Sequence, residues 1–168
     1  MGRKKKTNKV VAQKESLAYN GEIALTITHG NKVIRSLRRK NTGRGPLFQY
    51  LMYCLTGTLY PNQAPKYLRV FDSNNVQITS QAIPVTGLPS YEFSNNGASA
   101  ILTFNLSSTV FTQLTDIKKF RMYSQDNVRL ADIENYSAEV ELTNAETMTD
   151  GSNLIVAWKM TLSNKVGE

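Results

Sequence analysis

The stretch GEIALTITHGNKVIRSLRR, residues 21–39, decides the fold class of this 168-residue chain. From Ile23, every second residue is apolar and the residues between are polar or small, as in a strand with one buried face. The Gly30-Asn31 pair is typical of a tight turn, and it leads into a second strand over residues 32–39. The stretch therefore predicts an antiparallel hairpin.

The second half of the chain repeats this strand-and-turn pattern. Further strands are predicted at residues 66–72, 76–79, 91–93, 98–106, 117–123, 128–133, 137–143 and 154–164. Trp158 falls among the apolar positions of the last strand, which predicts a core tryptophan. Short strands at this spacing predict an all-β fold, an antiparallel, jelly-roll-like β-sandwich.

One short helix is predicted within this pattern, at about residues 46–56. Pro46 suits a first helical position because its missing N–H is not needed there. From Leu47 onward, apolar residues recur at helical spacing, and Gly57 suits a C-terminal cap. Cys54, the only cysteine, lies on the apolar face and is expected to be a buried thiol. A helix this apolar is expected to pack on the sheet.

The positive charge is concentrated at the start of the chain. The net charge is +7, and residues 1–44 hold 12 of the 20 Lys and Arg but only two of the 13 acids. We predict a basic N-terminal arm over residues 1–19, followed by a single β-sandwich domain over 20–168. Candidate partner-docking residues are the cations of the arm and the first hairpin: Arg3, Lys4, Lys5, Lys6, Lys9, Lys14, Arg38, Arg39, Lys40 and Arg44.

The sequence offers little for catalysis or for metal and cofactor binding. His29 is the only histidine and lies beside a turn, so it is predicted to be structural or solvated. The Gly43–Gly45 loop lacks the Lys-Ser/Thr of a nucleotide-binding P-loop. Glu139 and Glu141 alternate with apolar residues, which places them on the solvent face of a strand. We therefore predict no enzyme activity, no cofactor and no metal site.

Membrane insertion and secretion are not expected. No apolar run approaches the roughly 18 residues that would span a bilayer. The basic start is followed by no continuous apolar segment of the kind found in a signal peptide. We expect a protein made in a cytoplasm, without a membrane partner.

The layout of residues 21–164 resembles small virion proteins of tailed bacteriophages, including those of crAss-like phages. Such proteins carry an Asn-x-(Gly/Thr) loop before one short helix that ends in glycine, then β-sandwich strands, then a late strand with a W-x-(L/M)-x-(L/I)-x-N pattern. The matching residues are Asn41, Gly43, Leu47, Leu51, Leu55, Gly57, Pro65, Tyr67, Leu68, Trp158, Met160, Leu162 and Asn164.

The resemblance implies a non-enzymatic structural component of a virion, in the capsid, head fibre, connector or tail. Its partners would be other virion proteins and further copies of itself, and the basic arm would dock on neighbouring subunits. A genome-lining role, with the same arm binding nucleic acid, is a second hypothesis. A carbohydrate-binding sandwich of a fibre or tail is a third.

Overall fold

The computed structural model describes residues 15–55, 64–79, 82–94, 97–111, 114–124 and 135–166. Nine strands and one α-helix form in this part of the chain. In chain order they are β1 (Glu15–His29), β2 (Lys32–Gly43), α1 (Gly45–Leu55), β3 (Tyr67–Phe71), β4 (Ile83–Pro84), β5 (Ser90–Ser94), β6 (Gly97–Leu106), β7 (Thr115–Tyr123), β8 (Ala138–Met148) and β9 (Ser152–Val166). A short 3-10 helix spans Ser108–Val110.

The strands form one antiparallel sheet in the order β4-β3-β7-β8-β2-β1-β9-β6-β5, curled into a half-barrel. Strands β2, β1, β9, β6 and β5 make the first half-sheet, and β8, β7, β3 and β4 make the second. The N–H of Thr86 donates a hydrogen bond to the carbonyl of Thr103 over 2.6 Å, and this bond connects the segment after β4 to β6. The predicted all-β, antiparallel, sandwich-like fold is confirmed.

A single hydrophobic core lies between the two half-sheets. The first half-sheet contributes the apolar alternate residues of β1, β6 and β9, including Trp158, which is fully buried. The second contributes residues such as Val70, Phe120 and Val140, all almost completely buried. Trp158 is therefore a core residue, as its place in the strand pattern predicted.

The predicted hairpin is present and longer than expected. Strands β1 and β2 pair from Gly21 opposite Asn41 to His29 opposite Lys32, with a bulge between Ile27 and Thr28. Gly30 in the turn has a φ of 56°, a left-handed conformation that glycine adopts without steric cost.

Strand β1 corrects the predicted end of the arm, because it begins at Glu15 and not after residue 19. Its first residues pair with the end of β9, from Glu15 opposite Val166 to Tyr19 opposite Leu162. Period-two patterning is weak there, so the pairing is dictated by the partner strand and not by local sequence. Residues 1–14 lie outside the described part of the chain.

Three other strand predictions differ in detail from the structure. Residues 76–79 form only an isolated bridge, between Gln77 and Phe71, because the chain turns sharply at Asn75 (φ 63°). The two-residue strand β4, Ile83–Pro84, forms between the predicted strands 76–79 and 91–93, where none was predicted. The predicted strand at 128–133 lies outside the described residues.

The helix lies where it was predicted, shifted by one residue. Leu47 is buried, and the ring of Phe48 meets the ring of Tyr19 edge-on, with 5.8 Å between their centroids. Gly57 and the side chain of Cys54 lie outside what the structure describes. Helix α1 thus packs against the first half-sheet through β1.

Among the described residues, no helix has the length and apolarity needed to cross a membrane.

Candidate functional site

An apolar pocket of about 450 Å³ lies between helix α1 and the end of the first half-sheet. The helix side is lined by Leu47, Tyr50 and Leu51. The sheet side is lined by residues of β1, β5, β6 and β9, among them Ala98 and Leu162.

The pocket exists because the buried face of the first half-sheet continues beyond the second. Leu102, Phe104 and Leu106 of β6 are covered by the core, whereas Ala98 and Ala100, on the same face, are only partly buried. Their side chains are single methyl groups, so the helix above them cannot fill the space. An apolar surface is left open towards the edge of the sheet.

Strand β5 forms that edge, and its side chains are exposed along its whole length. Tyr91 and Phe93 point to the pocket side, are 62% and 82% exposed, and stack with 6.5 Å between ring centroids. Leu88, just before the strand, is 95% exposed. An apolar cluster of this kind beside an open pocket is typical of a binding surface.

Within the described part of the chain, the other free strand edges are protected and the β5 edge is not. Strand β4, at the opposite end of the sheet, has two residues and one is Pro84, which cannot donate to a further strand. The free stretch of β2 carries several exposed cations, another common protection. Ser90–Ser94 contains no proline, lysine or arginine.

The one charged residue of β5 is neutralised within the chain. The Glu92 carboxylate accepts hydrogen bonds from Lys159 Nζ at 2.7 Å and from the Ser99 hydroxyl at 3.1 Å. These hydrogen bonds and the lysine charge hold the pKa of Glu92 below its ordinary value. Glu92 therefore stays ionised but paired, and it does not repel an approaching strand as a free carboxylate would.

The predicted docking cations of the first hairpin divide over the two faces of β2. Arg38 and Lys40 lie on the face away from the core, and Arg38 is 78% exposed, 3.7 Å from Glu22. Arg39 lies opposite Ile23 on the core side, yet it is exposed, because this stretch of β2 has no described strand paired on its other side. The docking residues Arg3, Lys4, Lys5, Lys6, Lys9 and Lys14 lie outside the described part.

Arg44, the fourth predicted docking cation of the hairpin region, is engaged within the fold. Its guanidinium lies 4.9 Å from the centroid of the Tyr136 ring and 4.0 Å from a carboxylate oxygen of Glu139. Its backbone N–H donates to the carbonyl of Ser137 over 2.9 Å. These contacts fix the junction between β2, α1 and β8.

Glu139 corrects a second prediction, since it is half-buried and does not lie on a solvent face. It accepts a hydrogen bond from Arg121 Nε at 2.7 Å. The Arg121 guanidinium is stacked between the rings of Phe71 and Tyr136, 5.0 Å and 4.4 Å from their centroids. Strand alternation could not show this, because the cover around Arg121 and Glu139 comes from Phe71 and Tyr136, which lie on other segments.

A polar contact lies where β1, β2 and the pocket meet. The Tyr19 hydroxyl donates to Asn41 Oδ1 over 2.9 Å, and Tyr19 also lines the pocket. Burial raises the pKa of the Tyr19 phenol above its ordinary value of 10.0. The contact orients the ring of Tyr19 against Phe48 and so fixes one wall of the pocket.

Groups capable of catalysis are not brought together in the part of the chain that is described. His29 is exposed at the hairpin turn. No three His, Cys, Asp or Glu side chains converge as a metal site requires, within the same described residues. Tyr91 and Phe93 are not among the site residues predicted from the sequence, although their alternation with polar residues in a short strand is an available signal.

No protein-family model, no curated protein and no solved structure gives a match to this chain.

Proposed function

We propose that this protein is a non-enzymatic structural component of a bacteriophage virion that assembles through protein–protein contacts. The observation that carries the proposal is the unprotected β5 edge, with Tyr91, Phe93 and Leu88 exposed beside the apolar pocket. Exposed strand edges can pair with further strands, and a few residues, with tyrosine enriched among them, carry most of the binding energy at protein interfaces. A surface of this composition is suited to a protein neighbour.

The virion setting comes from the resemblance of residues 21–164 to small virion proteins. In that setting the sandwich is the rigid body, present in many copies. The basic N-terminal arm and the exposed Arg38 and Lys40 dock on acidic surfaces of neighbouring subunits.

Particle analysis tests this function directly. Particles of the phage that encodes the chain are purified on a density gradient, and the chain is quantified in them by mass spectrometry and placed by cryo-electron microscopy. We expect several copies per particle, with the β5 side against protein density. Absence of the chain from purified particles, at a detection level that finds the minor virion proteins, would contradict the proposal.

A second candidate function, genome lining, is favoured by the exposed cations of β2. Arg38 and Lys40 project from one face, with Glu22 as the acid near them. Phosphate contacts would make the binding of double-stranded DNA fall steeply with salt, with a log–log slope of about −0.9 for each contact. We expect the double variant Arg38→Ala/Lys40→Ala to flatten that slope if this function is correct.

Lys118→Ala is the matched control for this measurement, because the Lys118 ammonium already donates to the carbonyl of Thr143 at 2.8 Å. The control should leave the slope unchanged. Lack of DNA binding at about 50 mM salt would eliminate the genome-lining function.

The carbohydrate-binding alternative is less favoured. Trp158, the only tryptophan, is fully buried and offers no face to a sugar ring.

A further inference from the structure

We propose that the β5 edge is a self-docking site, at which Ser90–Ser94 of two copies pair antiparallel about a two-fold axis through Glu92. The pairing would join the two sheets into one continuous sheet. This inference rests on the proposed function, because it names the first partner of the assembling subunit as a second copy of itself.

The sequence of the strand is self-complementary. Ser90-Tyr91-Glu92-Phe93-Ser94 has the same order of side-chain types in either direction: hydroxyl, aromatic, carboxylate, aromatic, hydroxyl. Antiparallel pairing about Glu92 places Tyr91 opposite the partner's Phe93, and the reverse. Aromatic pairs directly across two strands are among the favourable cross-strand pairs. An isologous contact requires a surface that is complementary to itself, and this strand meets that condition.

The charges at the axis are compatible with this arrangement. Two glutamates directly opposite one another would normally repel. Here each Glu92 is paired with the Lys159 of its own chain, with 2.7 Å between Nζ and the carboxylate oxygen. The axis would therefore carry two carboxylates and two ammonium groups, with no net charge, on the face opposite the rings.

The pocket provides a further reason for a strand on this side. Tyr91 lies opposite Ala100, and Phe93 lies opposite Ala98. Both rings therefore lie on the face of the sheet that lines the pocket. A second copy paired at β5 continues that face with its own two rings. Four aromatic side chains would then line up beside the pocket mouth and remove the exposed apolar surface from water.

The association state of the full-length chain tests the proposal. Analytical ultracentrifugation over a concentration series should show a monomer–dimer equilibrium for the wild type. Phe93→Lys and Tyr91→Lys should each be monomeric, since each places a cation on the edge and removes one ring. Both side chains are more than half exposed, so the variants should keep the midpoint of urea unfolding that the wild type shows at concentrations where it is monomeric.

Val33→Lys is the matched control, because Val33 is a 56% exposed apolar residue on a different strand edge. It should dimerise like the wild type. A wild type that is monomeric over the whole series, or a dimer that persists in Phe93→Lys and is lost in Val33→Lys, would overturn the proposal.

Disulfide cross-linking tests which residues of the two β5 strands lie opposite each other. In a Cys54→Ser background, a cysteine at position 92 meets its symmetry mate, with Cβ atoms about 4.5–5.5 Å apart. Glu92→Cys should form a disulfide-linked dimer faster than Tyr91→Cys, Phe93→Cys or the control Val33→Cys. A faster reaction at any of these three positions would contradict a two-fold axis at Glu92.

The virion function and self-docking at β5 can be refuted independently of each other. A chain that is found in particles but does not self-associate at β5 would refute self-docking and leave the assembly function in place. A chain that dimerises as described and is absent from particles would refute the virion function alone.

Discussion

Arg121 is the least exposed charged side chain in the described part of the chain, at 4% exposure. A flat guanidinium can stack on two rings and still donate in its own plane, whereas an ammonium cannot do both. Arg121 does so between Phe71 and Tyr136 while it bonds Glu139. The side chain that the sequence would class as a surface cation is therefore part of a second, polar packing layer outside β7.

Arg121→Ala should lower the free energy of unfolding by about 3–5 kcal/mol, because it removes the hydrogen-bonded charge partner of the half-buried Glu139 and leaves, among the described cations, only Arg44, at 4.0 Å. Arg121→Lys should fall between this variant and the wild type. Urea unfolding followed by circular dichroism measures both. Arg38→Ala, which removes a 78% exposed cation, is the control and should change the value by less than about 0.5 kcal/mol. An equal effect of Arg121→Ala and Arg38→Ala would contradict the packing role.

Tyr19 should make stability depend on pH in the alkaline range. Burial raises the pKa of the folded-state phenol above its ordinary 10.0, so the folded protein holds that proton more tightly than the unfolded chain does. The resulting stability is fully present below pH 10 and is lost as the pH rises through the folded-state pKa. Tyr19→Phe should therefore show a shallower loss of unfolding free energy above pH 10 than the wild type. Parallel slopes for the two proteins would refute this assignment.

At the scale of the element, the close approach of β6 to β9 depends on Gly97. A Cβ atom at this position would overlap the backbone carbonyl of Leu162, and a backbone cannot move aside as a flexible side chain can. Gly97→Ala should destabilise the protein by about 1–3 kcal/mol, measured by urea unfolding.

Gly45→Ala is the matched control for that change. Gly45 is the first residue of α1, and no atom lies within 4 Å of a Cβ built there. We expect an effect of at most about 1 kcal/mol, in the stabilising direction. A loss at Gly45 as large as the loss at Gly97 would show that chain entropy, and not the approach to β9, decides the outcome.

Strands with a buried face were predictable, because alternation is a local signal. Ile23, Leu102 and Val156 lie on the predicted faces of their strands, and all three are buried. Helix α1 was equally predictable, since its apolar residues recur at helical spacing after Pro46.

Features that depend on distant segments were not predictable. The first residues of β1, up to Tyr19, are held by pairing with the end of β9, more than 140 residues away in the chain. Glu139 is enclosed because Tyr136 and Arg121 cover it, and alternation says nothing about a second layer. The exposure of Tyr91 and Phe93 depends on which described elements lie beside β5, and this is known only once the whole sheet is assembled.

At the scale of the whole molecule, the boundary between arm and sheet can be tested by truncation. Removal of residues 1–14 should leave the thermal unfolding midpoint unchanged, because β1 begins at Glu15. Removal of residues 1–19 should lower the midpoint, since it takes away the Tyr19 contacts with Asn41 and Phe48 and five residues paired with β9. Differential scanning calorimetry distinguishes the two. Identical midpoints would place the boundary at residue 19.

The curled sheet has the weakest pairing of its long strands at the junction between β2 and β8. In the described structure the two strands share backbone pairing only at Thr42 and Gly43, and further along a single ion pair, Arg35 with Glu146 at 2.8 Å, spans the gap. Every other neighbouring pair of long strands is joined along most of its length. Local separation of strands should begin between β2 and β8. Amide hydrogens of β2 that face β8 should therefore exchange with deuterium sooner than those of β9. The two half-sheets would thus move relative to each other about this junction, and the curvature of the sheet would change without unfolding of either half.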